Sequence, residues 1–358
     1  MIALLLACVE EPPEAEAPSA WYAPDAAGPW IAGTEDDVFA GPGDATQPVQ
    51  VWFPASEAGD DPYAYGDGLL EGTAREDAVP DCAEARPVLV FSHGNGAMGW
   101  QSIFLTEHLA THGWVVVAPD HVGNTIWDSG APLGDMALRR PLDVAAAFDW
   151  LAETDADGLL AGCVDPDAGY AVAGHSFGGY TTVAVAGATL DAGASAAWCA
   201  EHDDWLCEEF ADAMTAAGET AVSLGDPRAW AAVPMAPAGH EVLVGGLADV
   251  AIPMLVLGGS LDTMTPVATQ AGAIYGGLAV APRALGTVDG AGHFAFSDAC
   301  AIVSTYEDCH PPYRPDAETH PVISTAVTAF LRWVAGDTDA AAWLPDPDEE
   351  ILAWEEVE

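Results

Sequence analysis

The chain has 358 residues, 51% of them hydrophobic: enough for one large α/β domain or two small ones, and too apolar for wholesale disorder. Against 56 Asp and Glu stand 8 arginines and no lysine, a formal net charge of −48. A surface this negative repels phosphate backbones and anionic headgroups, which excludes nucleic acids and anionic membrane faces as partners. The acidity fits adaptation to high salt, where screening relieves self-repulsion, and equally a lineage bias toward Ala, Asp and Gly.

The chain opens Met1-Ile2-Ala3-Leu4-Leu5-Leu6-Ala7-Cys8, an apolar run ending in Leu-x-Ala-Cys. It resembles a bacterial lipobox, which implies a signal at 1–8 with Cys8 as the lipidated residue. The run is short and no Lys or Arg precedes it; a start codon placed too late accounts for both, and an accidental apolar start is the alternative. Residues 9–35, rich in Glu, Pro and Ala, read as a tether. No other stretch has the roughly 18 uninterrupted apolar residues of a membrane span.

One folded domain is expected over 36–336, alternating strand and helix around a mostly parallel sheet covered on both faces. Strands are expected at 49–53, 87–92 and 114–118, with a helix at 104–112 closed by Gly113. A helix at 140–153 carries the apolar stripe Leu142, Ala146, Phe148 and Leu151. A strand at 170–173 leads into a helix reaching about residue 189; further strands follow at 229–235, 253–258 and 283–288, then a closing helix at 320–334. The segment 190–228, with Trp198, Cys199, Trp205 and Cys207, interrupts this rhythm as an insertion. It reads as a cap over the site or as an excursion at the sheet edge. The acidic tail, 337–358, is expected to be loosely held.

Between the 170–173 strand and its helix stands Gly174-His175-Ser176-Phe177-Gly178. This is the Gly-x-Ser-x-Gly elbow, in which a strained strand-to-helix turn presents the serine and a Cβ at either glycine would collide with neighbouring chain. A serine needs a general base, and the base needs a carboxylate to orient it. Asp262 follows the 253–258 strand in Gly258-Gly259-Ser260-Leu261-Asp262, and His293 follows the last strand in Asp289-Gly290-Ala291-Gly292-His293, giving the chain order Ser, Asp, His that accompanies such elbows. Asp289 is the rival acid. Among other histidines, His175 points the wrong way along its strand, and His202, His240, His310 and His320 lack a preceding core strand. The oxyanion donors are expected to be the N–H groups of Phe177, after the nucleophile, and Asn95, in His93-Gly94-Asn95-Gly96.

In order, Ser92-His93-Gly94-Asn95-Gly96, the run from Leu109 to His121, Arg140-Pro141-Leu142-Asp143-Val144, Gly174-His175-Ser176-Phe177-Gly178-Gly179, Ala236-Pro237-Ala238-Gly239, Gly258-Gly259-Ser260-Leu261-Asp262-Thr263 and Gly290-Ala291-Gly292-His293 resemble the platelet-activating-factor acetylhydrolase and dienelactone-hydrolase-like branch of α/β-hydrolases. That branch includes bacterial polyester and cutinase-type hydrolases. The likeness spans about 45–335 except 190–228. It implies the α/β-hydrolase fold with a small insertion after the nucleophile helix, a Ser176–His293–Asp262 triad, and carboxylic-ester hydrolysis without a cofactor. Dienelactone hydrolases proper differ in using cysteine as nucleophile. In the strand order of this fold the 87–92 and 170–173 strands are neighbours, so Cys82 and Cys163 sit close enough to bridge. Cys199 with Cys207 and Cys300 with Cys309 make the other pairs, an even set once Cys8 is set aside.

No His-Glu-x-x-His and no Cys-x-x-Cys supplies a metal site, and no Gly-x-Gly-x-x-Gly opens a first βαβ unit. The expectation is an exported, monomeric serine esterase acting on a small or polymeric ester. A serine peptidase and a non-catalytic binding module of the same fold are the alternatives. Pocket walls are expected from 95–100, 121–135 and 190–245, with Trp100, Trp127 and Trp205 as candidate lining residues.

Overall fold

The computed structural model describes residues 23–59, 61–154, 158–202, 204–345 and 352–357, so the expected signal, Cys8 and the first part of the tether lie outside the described residues. The strands, in chain order, are β1 (Ile31–Ala40), β2 (Thr46–Glu57), β3 (Pro62–Tyr65), β4 (Leu70–Arg75), β5 (Val79–Pro80), β6 (Val88–Ser92), β7 (Val115–Pro119), β8 (Tyr170–His175), β9 (Thr189–Asp191), β10 (Ala221–Ser223), β11 (Ala229–Met235), β12 (Met254–Gly259), β13 (Arg283–Val288) and β14 (Leu352–Val357). The helices are α1 (Ile103–Thr111), α2 (Leu133–Thr154), α3 (Phe177–Val185), α4 (Ala192–Cys199), α5 (Cys207–Ala217), α6 (His240–Leu243), α7 (Ala271–Gly277), α8 (Ala299–Ile302) and α9 (Asp316–Val334).

The main sheet runs β14-β13-β12-β11-β8-β6-β7-β2-β1-β4-β3, with β5 beside β2. From β13 to β7 every neighbour is parallel, whereas β14 pairs antiparallel at one end and β2 and β1 do so at the other. The apolar runs explain this division. Every residue of β6, β7, β8 and β12 is buried, as required of parallel strands covered on both faces. Their side chains alternate between two cores: Val88 and Val90 face α2, α3 and α7, while Leu89 and Phe91 face α1 and α9.

Three expectations need correction. The 9–35 tether ends early, because β1 starts at Ile31 and pairs along the length of β2. Ahead of it, His108 donates from Nε2 to the Pro24 carbonyl at 3.0 Å and His112 to that of Ala26 at 2.9 Å, docking the segment on α1. The described parts of the tail are held too: Asp337 pairs with buried Arg332 at 2.7 Å, and β14 adds a strand that buries Trp354. Finally, α2 starts at Leu133 rather than Arg140 and reads through Pro141. A proline leaves the carbonyl four residues earlier without its helical donor. Here that carbonyl, on Ala137, accepts from the buried Tyr180 hydroxyl at 2.9 Å.

Three disulfides join Cys82 to Cys163, Cys199 to Cys207 and Cys300 to Cys309. The first links the approaches to the adjacent strands β6 and β8. The 190–228 insertion, containing α4 and α5, packs Leu206, Phe210 and Met214 into the core that includes Met136 and Ala137 of α2. Its short strands β9 and β10 pair in a separate two-stranded sheet, and Trp205 meets the Phe177 ring edge-on at 5.3 Å.

Candidate active site

At the carboxyl end of β8 the chain turns through Ser176, at φ 58° and ψ −117°, straight into α3. A left-handed φ on a residue with a Cβ costs about 1–3 kcal/mol, held here by the surrounding structure. Ser176 N–H donates to Met235 O at 2.9 Å, and Ser176 O accepts from Ala238 N–H at 3.0 Å. A Cβ on Gly178 would lie 1.8 Å from Ser92 O, and one on Gly174 would lie 2.4 Å from Gly178 O. Only glycine permits α3 to approach β6 this closely.

Loops after β12 and β13 bring two side chains to the serine. His293 Nε2 lies 3.0 Å from Ser176 Oγ, and its Nδ1 lies 2.8 Å from Asp262 Oδ2. A carboxylate beside Nδ1 places the proton there, which leaves Nε2 to accept from the serine hydroxyl. Asp262 Oδ1 accepts the N–H groups of Met264 and Thr265, each at 2.8 Å, and Oδ2 accepts the Thr265 hydroxyl at 2.7 Å. Burial pushes this carboxyl up, but the donors from His293 and Thr265 outweigh it and hold Asp262 below the usual carboxylate range. Asp289, the rival acid, is exposed and pairs instead with Arg314 at 3.2 Å.

The Asn95 loop follows β6 and is gripped from below. Arg140, fully buried in α2, donates to the His93 carbonyl and, at 3.1 Å, to Asn124 Oδ1. Asn124 Nδ2 in turn donates to Asn95 Oδ1 at 2.7 Å. The same guanidinium lies 4.6 Å over the Phe177 ring. One buried cation therefore steadies both residues expected to supply oxyanion donors. Phe177 is the first residue of α3, where a backbone N–H has no intrahelical acceptor.

Ser176 and His293 open on a cleft of about 230 Å³. Its walls are mainly apolar: Met98, Ile126, Met264, Phe294, Ile302, Val303 and Tyr306. The expected walls are thus corrected. Segments 94–101 and Ile126 contribute, but among the described residues 190–245 supplies none of the lining, and the missing side comes from 293–306. Phe294 stacks on Tyr306 at 4.5 Å, and the Cys300–Cys309 disulfide closes that wall. The signal was present in the paired cysteines flanking Ile302, Val303 and Tyr306, all beyond His293. None of the three candidate tryptophans lines the cleft: Trp100 is buried beside Tyr65, and Trp127 and Trp205 are exposed elsewhere.

A family model described as Chlorophyllase matches residues 78–197, about a third of the chain. The match takes in β6, the Asn95 loop, the elbow and Ser176, and stops short of Asp262 and His293. No curated protein matches the chain. The sheet order, the elbow and this match agree: the chain is an α/β-hydrolase, similar to the Chlorophyllase family across residues 78–197.

Proposed function

We propose that this α/β-hydrolase is an exported serine esterase. The observation that carries the reading is the hydrogen-bonded series Ser176–His293–Asp262 on a strained elbow, opening on an apolar cleft. Ser176 Oγ attacks the ester carbonyl while His293 Nε2 takes its proton; Asp262 keeps the imidazole in the required tautomer and stabilises the imidazolium. The N–H groups of Phe177 and Asn95 receive the oxyanion, aided by the buried positive charge of Arg140 behind them. His293 then protonates the leaving alcohol, and water, activated by the same base, releases the acid.

Among the described residues no Lys or Arg lines the cleft, and its apolar wall suits an uncharged acyl group of short to medium length. Three disulfides support export. Among the described residues no helix is long and apolar enough to cross a membrane. The test is hydrolysis of p-nitrophenyl esters from acetate to palmitate, beside Ser176→Ala and at low and high NaCl. Serine-dependent turnover peaking at short chains is the expected result. Absence of turnover at every chain length, at both salt levels, would overturn the esterase reading in favour of a binding module or a narrow peptidase.

A further inference from the structure

The histidine beside the nucleophile lies outside the triad yet is bonded to it. His175 is buried, with 3% exposure, and its ring lies 4.7 Å from that of His293. Its Nε2 stands 3.0 Å from the backbone carbonyl of His293, an acceptor only, so Nε2 carries the proton. Its Nδ1 is then an acceptor, and the group facing it at 2.9 Å is Gln101 Nε2. That orients the Gln101 amide, whose Oε1 accepts the Gly94 N–H at 2.8 Å. Each bond dictates the direction of the next. Gln101 is itself buried, and its backbone carbonyl is fixed by the Asp298 N–H at 2.7 Å.

We infer that Gln101 and His175 form a positioning relay, Gly94 N–H to Gln101 to His175 to the His293 carbonyl, which sets the oxyanion loop, the elbow and the base loop in one register. The inference rests on the esterase reading. It concerns three segments far apart in sequence: Gly94 precedes Asn95, His175 precedes Ser176, and His293 is the base. Burial, with the neighbouring His293 adding to it, pushes His175 down to about 3, so the ring stays neutral and the relay keeps its direction wherever His293 works as a base. Neither side chain reaches a reacting atom in this scheme. Their effect is to fix the separation of the base from the nucleophile and of the oxyanion donors from the carbonyl, where a misplacement of about 1 Å can cost roughly 10²-fold.

The test uses the full chain and p-nitrophenyl butyrate, with Gln101→Leu, His175→Phe and the double variant. Each single change should lower kcat about 10- to 100-fold with KM little altered. Inhibition by phenylboronic acid, which forms a tetrahedral adduct on the serine, should weaken by a comparable factor. The double variant should lose no more than the worse single one, since a broken relay cannot be broken twice. Gln101→Met keeps the length and volume of the side chain but supplies neither the acceptor for Gly94 nor the donor to His175; it should show the same kcat loss, where a space-filling role predicts none. Variants with wild-type kcat, or with losses that appear in KM or follow a fall in melting temperature, overturn the inference. An active Ser176→Ala variant would instead overturn the esterase reading itself.

Discussion

Among the described residues two Ser–His–Asp series are built into this sheet, and one of them faces a cleft. Ser92, the last residue of β6, donates to His121 Nε2 at 2.9 Å, and His121 Nδ1 donates to Asp143 at 2.9 Å. Ser176, His293 and Asp262 repeat those contacts at 3.0 and 2.8 Å. The bond lengths do not separate them. Ser92, His121 and Asp143 are all fully buried, Ser92 sits in regular strand, and the set ties β6, the loop after β7 and α2 together. Ser176 sits at a left-handed φ above an open cleft with a helix N-terminus beside it. The carboxylates differ as well. Asp262 is lowered by its donors, while burial raises Asp143 to about 6 even beside Arg139 and Arg140. On the proposed reading the catalytic set is distinguished by access and strain; its two hydrogen bonds serve equally well as internal scaffolding.

The largest effects should separate the two serines. Ser176→Ala is expected to lower kcat by about 10⁶ with the melting temperature unchanged. Ser92→Ala should leave kcat within a few-fold and cost roughly 1–3 kcal/mol of stability, because His121 loses a buried donor. Kinetics and urea melts of both variants check this, and a Ser92→Ala variant as inactive as Ser176→Ala would erase the distinction. Next in size are the carboxylates: Asp262→Asn should cost about 10⁴ in kcat by offering the wrong tautomer to the serine. Asp143→Asn should cost little activity. Third comes the element shared by both sets, Arg140. Arg140→Met leaves the His93 carbonyl and Asn124 Oδ1 without their donor, at roughly 1–3 kcal/mol each, and frees Asn95. It should therefore lower both stability and kcat, where the serine variants each lower one.

How much of this was legible follows from the physics of each segment. Continuous apolar runs gave the parallel strands, and for 229–235 and 283–288 the expected limits coincide with β11 and β13. The elbow was legible because its glycines have no substitute at that approach. β1 was not, since Thr34-Glu35-Asp36-Asp37 reads as a polar linker until β2 is there to pair with it. The start of α2 was read at Arg140, next to Pro141, because the compensating donor, Tyr180, lies far away in sequence. The same holds for the buried series and the Gln101 relay. Ser92, His121 and Asp143 stand in the order Ser, His, Asp within a strand and its neighbours, with no local motif, and only the sheet brings them together.

The smallest effect concerns how the buried set responds to acid. His121 is held well below 6.5, by burial first and then by Arg140 and Arg139, so the folded protein resists a proton that the unfolded chain accepts. Its contribution to stability is whole above about pH 6.5 and shrinks as the pH falls. Asp143 works in the opposite sense. With a folded value of about 6, it takes a proton before an unfolded aspartate does, so its penalty above pH 6 is relieved as the pH drops toward about 3.9. The two partly cancel between those limits. Asp262, held low, keeps its full contribution above about pH 3.9 and loses it below. Asp143→Asn removes the relieving group and leaves His121 unopposed, so its melting temperature should drop relative to wild type as the pH falls from 6 to 4.5. Parallel curves for the two proteins across that range would mean that the buried carboxyl does not titrate there and that the two sets are electrostatically alike.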